Sequence, residues 1–121
     1  MIAAIHLRPA AEADPAGFGE QAATTLRLLA ERPGFRRGTV GRAIDDAGAW
    51  LLLTEWESVG AYRRALGGYQ VKLQGTSVLA QALDQPSAFE ELLRLDSAGV
   101  EWAATSDRAP DADWAPRHRP G

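Results

Sequence analysis

Apolar residues in this chain fall into two rhythms. Residues 2–8, IAAIHLR, and 49–57, AWLLLTEWE, are short apolar runs of strand length. Between them Phe18, Ala22, Thr25, Leu26 and Leu29 recur at helical spacing and mark one stripe of a helix reaching about residue 31. Asp14 followed by Pro15 starts that helix, as N-cap and first helical residue. Pro33 and Gly34 stop it. Residues 35–44, FRRGTVGRAI, read as a strand of low bulk, and DDAG at 45–48 as a hairpin turn into 49–57. Ser58 caps a second helix, VGAYRRAL, to about residue 66. GGYQVKLQG interrupts it and begins another short helical piece, and TSVLAQAL favours a further short helix. DQP is a break. SAFEELLRL, 87–95, fits helix or strand on periodicity. It is read as the fourth strand because the topology lacks one.

The resulting order, strand–helix–strand–strand–helix–strand, predicts an α+β fold of the split βαβ type, an antiparallel sheet with helices on one face. In residues 49–57, Leu51 and Leu53 share one parity and Trp50, Leu52, Thr54 and Trp56 the other. Both faces of this strand are thus apolar. Exposed apolar surface costs about 25 cal/mol per Å². The simplest arrangement has the helices on one face and a second copy of the sheet covering the tryptophans, enclosing a cavity in each half of a homodimer. Glu55 then points toward the helix layer, paired with an arginine.

Composition narrows the class. A chain of 121 residues fits one domain. Its net charge of -3 argues against a nucleic-acid partner. With no cysteine, disulfides and thiolate chemistry are excluded. The opening apolar run is too short for a signal sequence, and no run reaches the roughly 18 apolar residues of a membrane span. The expectation is a soluble cytoplasmic protein with no membrane partner. Composition changes after residue 96. Residues 1–96 form the expected domain, and 97–121, rich in Pro, Asp, Ala and Arg, a tail or an arm packing across a partner through Trp102 and Trp114.

Residues 31–66, ERPGFRRGTVGRAIDDAGAWLLLTEWESVGAYRRAL, resemble the antibiotic biosynthesis monooxygenase family. The likeness lies in the Pro-Gly-Phe start of the second strand, the Asp-Asp hairpin, the strand ending TEWES, the helix VGAYRRAL, and then YQVK and DQPSAFE. It covers roughly residues 1–95. The resemblance implies a ferredoxin-like protomer in a dimeric α+β barrel. Characterised members oxidise phenolic polyketides to quinones with O2, without metal or flavin. It also implies that Trp56 and Tyr62 line the substrate cavity and that His6 projects into it. Quinone-forming members can carry an Asn where this chain has Leu52. Haem-degrading relatives use a histidine on the second helix, and residues 59–74 contain none.

The chemistry expected of these residues follows. A neutral His6 imidazole takes a phenolic proton, and the resulting anion is electron-rich enough to reduce O2 directly. Trp56 and Tyr62 complete the catalytic set. Trp50, Leu52, Thr54 and Tyr69 are the substrate-binding candidates, the tryptophans by stacking and the tyrosine by its hydroxyl. The plainer readings are a hydrogen-bonded strand histidine and tryptophans that fill a dimer core. No phosphate-binding glycine loop, metal cluster or hydrolytic triad is evident, so no cofactor or metal is expected. The function expected is a cofactor-independent monooxygenase on a phenolic polycyclic aromatic. The alternatives are a non-redox cyclase or isomerase, and a non-catalytic small-molecule-binding dimer.

Overall fold

The structure is a computed structural model that describes residues 1–104. Elements run β1 (Ile2–Leu7), α1 (Pro15–Ala30), β2 (Phe35–Arg42), β3 (Trp50–Trp56), α2 (Val59–Leu66), α3 (Tyr69–Leu79), β4 (Ala88–Phe89), β5 (Leu93–Leu95) and β6 (Glu101–Ala103). The first sheet has four antiparallel strands in the order β2-β3-β1-β4. This is the expected α+β, ferredoxin-like arrangement. No described helix is long and apolar enough to cross a membrane.

The caps act as the residue types predict. Asp14 accepts a 3.0 Å bond from Gly17 N, with Pro15 opening α1. Ser58 accepts from Ala61 N at 3.0 Å and opens α2. Gly34, past the end of α1, has φ +88°, a left-handed conformation that favours glycine. A Cβ there would also come 2.5 Å from the Ala61 Cβ, so Gly34 lets the chain pass close under α2. The hairpin turn holds through Asp46, whose Oδ1 accepts from Gly48 N at 3.1 Å. Gly67 ends α2, and α3 then runs unbroken from Tyr69 to Leu79. TSVL thus continues α3 instead of starting a separate helix, because Val71, Gly75 and Val78 form one buried stripe.

The chain divides into two compact units, Met1–Glu90 and the residues from Glu91 onward. In the first, the helix-side core gathers Ala3, Ile5, Leu7, Phe18, Ala22, Leu29, Leu52, Trp56, Tyr62, Val71 and Val78. The second contains a two-stranded hairpin of β5 and β6. Its turn is tied by Asp96, whose Oδ1 accepts from Ala98 N and Val100 N, both at 2.9 Å. Arg94 lies 4.8 Å over the Trp102 ring. The composition boundary after residue 96 falls in this turn. Trp114 lies outside the described residues.

Two expectations about the strands are corrected. The single strand over 87–95 is divided: Ala88–Phe89 pairs with β1, and Leu93–Leu95 pairs with β6. The reason is partner length, since Phe89 pairs with Ile2, the first residue of β1. Nothing of β1 remains for the following residues to pair with.

The second correction concerns which face is which. Leu52, Thr54 and Trp56 are buried within the protomer, on the side the helices cover. Trp50 is on that side too, edge-on to Phe18 of α1 with ring centroids 5.2 Å apart. Leu51, Leu53 and Glu55 face the other way. Glu55 accordingly pairs with Arg37 of β2 on the face away from the helices, not toward the helix layer. Bulk explains the choice. Leu26 of α1 sits over Gly38, where a Cβ would collide with its methyl group, so the helix closes down on that position. The large side chains of β3 fill the rest of the same layer.

Candidate functional site

The inner face of the sheet carries a chain of aromatic contacts. Trp56 meets Phe35 edge-on at 5.3 Å and tilts against Tyr62 at 5.8 Å. Trp56 is 0% exposed. Its indole Nε1 donates to Thr54 Oγ1 at 2.8 Å, which satisfies the ring's one polar atom. Residues two apart on a strand share a face, so this pair follows from β3 alone. The Trp56 indole is closed in by protein and serves to back Tyr62.

Tyr62 projects from α2 toward a cavity of about 190 Å³ between β1, the ends of α2 and α3, and residues 82–87. Ile5, Leu66 and Leu79 give it apolar walls, and Gln85 and Ser87 bring polar groups. Burial pushes the Tyr62 phenol above its ordinary 10.0, and a hydrogen bond with the Ser87 side chain acts in the opposite direction. The Tyr62 hydroxyl and the Ser87 side chain thus stand together at the cavity wall. Main-chain bonds hold this rim to the sheet edge: Ala4 N to Ser87 O at 2.6 Å, Leu83 N to His6 O at 2.8 Å and Arg8 N to Gln81 O at 3.0 Å.

His6 is also at the wall of this cavity, where its carbonyl oxygen accepts from Leu83 N. Its neighbours Ile5 and Leu7 are buried on the helix side, and its cross-strand partner is Leu51. By alternation the imidazole stands on the far side of the sheet, exposed. The expectation that His6 and Trp56 share one cavity is therefore corrected. Among the substrate-binding candidates, Leu52 is 0% and Thr54 1% exposed, both within the core. Tyr69 is 74% exposed at the start of α3 and away from the Tyr62 cavity. Trp50 lines a different cavity, at the far end of the strand. The sequence reading missed Ser87, because its partner Tyr62 lies 25 positions back and a lone serine after a proline signals only a turn. Among the described residues no group of three His, Cys, Asp or Glu side chains converges to hold a metal ion.

This arrangement of sheet, two-part helix and inward aromatics coincides with a family match. The model of the antibiotic biosynthesis monooxygenase family matches residues 1–72. The chain belongs to that family. No curated protein sequence matches it. Among solved structures, a mutant of SnoaB, a cofactor-independent oxygenase from Streptomyces nogalater, is similar at 20% identity. That match has a TM-score of 0.60 and covers 89% of this chain and 93% of that one. A putative antibiotic biosynthesis monooxygenase from Deinococcus radiodurans is 16% identical over 75% of this chain and 97% of its own, with a TM-score of 0.57. A Mycobacterium tuberculosis protein is 20% identical over 81% and 98%, also at 0.57. At these identities the structural likeness speaks for the fold.

Proposed function

We propose that this protein is a cofactor-independent monooxygenase that oxidises a phenolic, polycyclic aromatic intermediate of secondary metabolism with O2, as a cytoplasmic homodimer. The observation that carries this reading is the Tyr62 side chain at the wall of a mostly apolar cavity, where Ser87 and Gln85 supply the polar groups. Family membership and the likeness to an oxygenase support it. The substrate supplies the reducing power. An anthrone-type carbon that has lost a proton gives one electron to O2, and the radical pair combines to a peroxide. Loss of water then leaves the quinone, so a CH2 and O2 become C=O and H2O. The protein stabilises the substrate anion by donation from Tyr62 and keeps water from the reduced-oxygen intermediate. At neutral pH the phenol is protonated and can make that donation. At about 190 Å³ the cavity is smaller than the ~300 Å³ at the low end of ligand pockets, so a tricyclic substrate requires residues 82–87 to move outward.

The dimer is inferred from the face away from the helices, where Ile2, Ala4, Leu51 and Leu53 form a half-buried apolar stripe within the single chain. A second copy of the sheet covers that stripe. In this reading His6 belongs to the interface and not to the catalytic set.

A second reading, a non-redox isomerase or cyclase or a small-molecule-binding dimer on the same scaffold, is favoured by one observation. Leu52, which stands where quinone-forming relatives can have an Asn, is fully buried, and the Tyr62 cavity has no carboxylate side chain on its wall. Oxygen consumption decides between the two. Purified apoprotein given an anthrone-type substrate under air is expected to take up O2 and form quinone. Product without oxygen uptake indicates an isomerase, and binding without product a carrier.

A further inference from the structure

A second cavity lies at the hairpin end of the sheet. It has a volume of about 420 Å³ and shares no wall residue with the Tyr62 cavity. It opens where the end of β1, the start of α1, the end of β2 and the hairpin turn converge. Pro9, Pro15, Phe18 and Trp50 supply apolar surface, and three charged side chains, Arg8, Arg42 and Asp46, stand around it.

The charges are not equivalent. Asp46 Oδ2 accepts from Arg8 Nη2 at 2.5 Å, and Asp46 Oδ1 accepts from Gly48 N at 3.1 Å. The Arg8 hydrogen bond, with the Gly48 bond behind it, holds the Asp46 carboxyl below its ordinary 3.8. That pair is therefore internally neutral, and both carboxylate oxygens are engaged. Arg42 is differently placed. Its Nε donates to Ala47 O at 2.7 Å, and its guanidinium carbon sits 5.0 Å over the Trp50 ring. It makes no ion pair with a described residue. Anchored at Nε and stacked on Trp50, the guanidinium is held in one plane before any ligand arrives. A guanidinium so held suits two parallel hydrogen bonds to a carboxylate.

We propose that this cavity is a second ligand site, distinct from the Tyr62 cavity, for a small aromatic carboxylate. The acid group binds Arg42, and the ring lies against Phe18 and the two prolines. The volume falls within the range of small-molecule pockets, about 300–1,000 Å³, and is ample for a bicyclic acid. The net charge of the three side chains is +1, which selects an acid over its neutral amide.

The test uses the full chain with 1-naphthoate and its neutral counterpart 1-naphthamide, titrated by calorimetry at low salt. The acid is expected to bind about tenfold tighter than the amide, and Arg42→Gln to abolish the difference. Arg42 is exposed, so the substitution leaves the core intact. On the wild-type protein, amide NMR shifts induced by naphthoate are expected at Ala47 and Gly48, not at Leu83 or Ser87. Equal affinity for acid and amide overturns the proposal. So does an acid preference that survives Arg42→Gln, or shifts centred on Ser87.

Discussion

His6 and Trp56 stand on opposite faces of one sheet, although their strands are hydrogen-bonded neighbours. His6 pairs with Leu51 on the face away from the helices, and Trp56 lies with Leu52 and Thr54 under α2. By alternation the sheet separates that imidazole from the Trp56 and Tyr62 rings. His6→Ala is therefore expected to leave kcat/KM for a confirmed aromatic substrate within about twofold of wild type. Sedimentation of the same variant reads any change in self-association. A loss of activity of a hundredfold or more would put the imidazole in the catalytic site.

Tyr62 tests the site directly. Tyr62→Phe keeps the ring against Trp56 and removes only the hydroxyl that meets Ser87. Stability should fall by about 0.5–1.5 kcal/mol, the usual net value of one hydrogen bond. If the phenol donates to the substrate anion, kcat should fall by about 10- to 1,000-fold. Steady-state kinetics on the folded variant separate the two effects, and an unchanged kcat removes the Tyr62 hydroxyl from the catalytic step.

The Tyr62 phenol also predicts a pH dependence. Its folded-state pKa is raised above 10.0 by burial, so above that pH the native state holds a proton that the unfolded chain has released. The resulting stabilisation is fully present below pH 10 and is lost as pH rises through the folded-state value. Urea denaturation at pH 9 and at pH 11 should show a lower midpoint at the higher pH. Absorbance titration at 295 nm in a Tyr69→Phe background isolates the relevant tyrosine, and an ordinary titration midpoint there would contradict the burial argument.

Thr54 holds the one polar atom of the Trp56 ring, with Nε1 to Oγ1 at 2.8 Å and both residues buried. Thr54→Val keeps the shape and leaves the indole N–H unpaired. The expected loss is about 1–3 kcal/mol in denaturant unfolding, with the slope unchanged. A neutral substitution would mean that water replaces the hydroxyl.

Gly34 and Gly38 are expected to resist enlargement for different reasons. Gly34→Ala combines a φ of +88° with a collision against Ala61 and should cost about 1–3 kcal/mol. Gly38→Ala has ordinary backbone geometry but meets the Leu26 methyl group and stands 3.1 Å from the Leu53 carbonyl oxygen. In a Leu26→Ala background the Gly38→Ala penalty should shrink, because the closest obstructing atom is gone while the Leu53 carbonyl oxygen remains. Thermal melts of the two single variants and the double variant read this out.

Residue types acting over a few positions were legible without any coordinates. Asp14 and Ser58 cap their helices, Pro33 and Gly34 end α1, and Asp46 ties the hairpin through contacts that span two or three residues. The period-two pattern of β3 likewise sorted Trp50, Leu52, Thr54 and Trp56 onto one side and Leu51, Leu53 and Glu55 onto the other. Alternation says which side chains go together. It carries no information about which group meets the helices when both are apolar.

That assignment was decided in three dimensions. The helix layer settled on the face where Gly38 admits Leu26 and where Trp50 and Trp56 have the depth of α1 and α2 to fill. Leu51, Leu53 and His6 were left on the other side as a consequence. Tyr62 meeting Ser87 and Arg42 stacking on Trp50 also join residues of different elements. The local sequence thus determined elements, caps and strand parity, because those depend on short-range sterics and hydrogen bonding. The inward face, both cavities and their polar groups depended on long-range packing, since only the close fit of α1 and α2 on the sheet selects among orientations that the alternating pattern leaves equal.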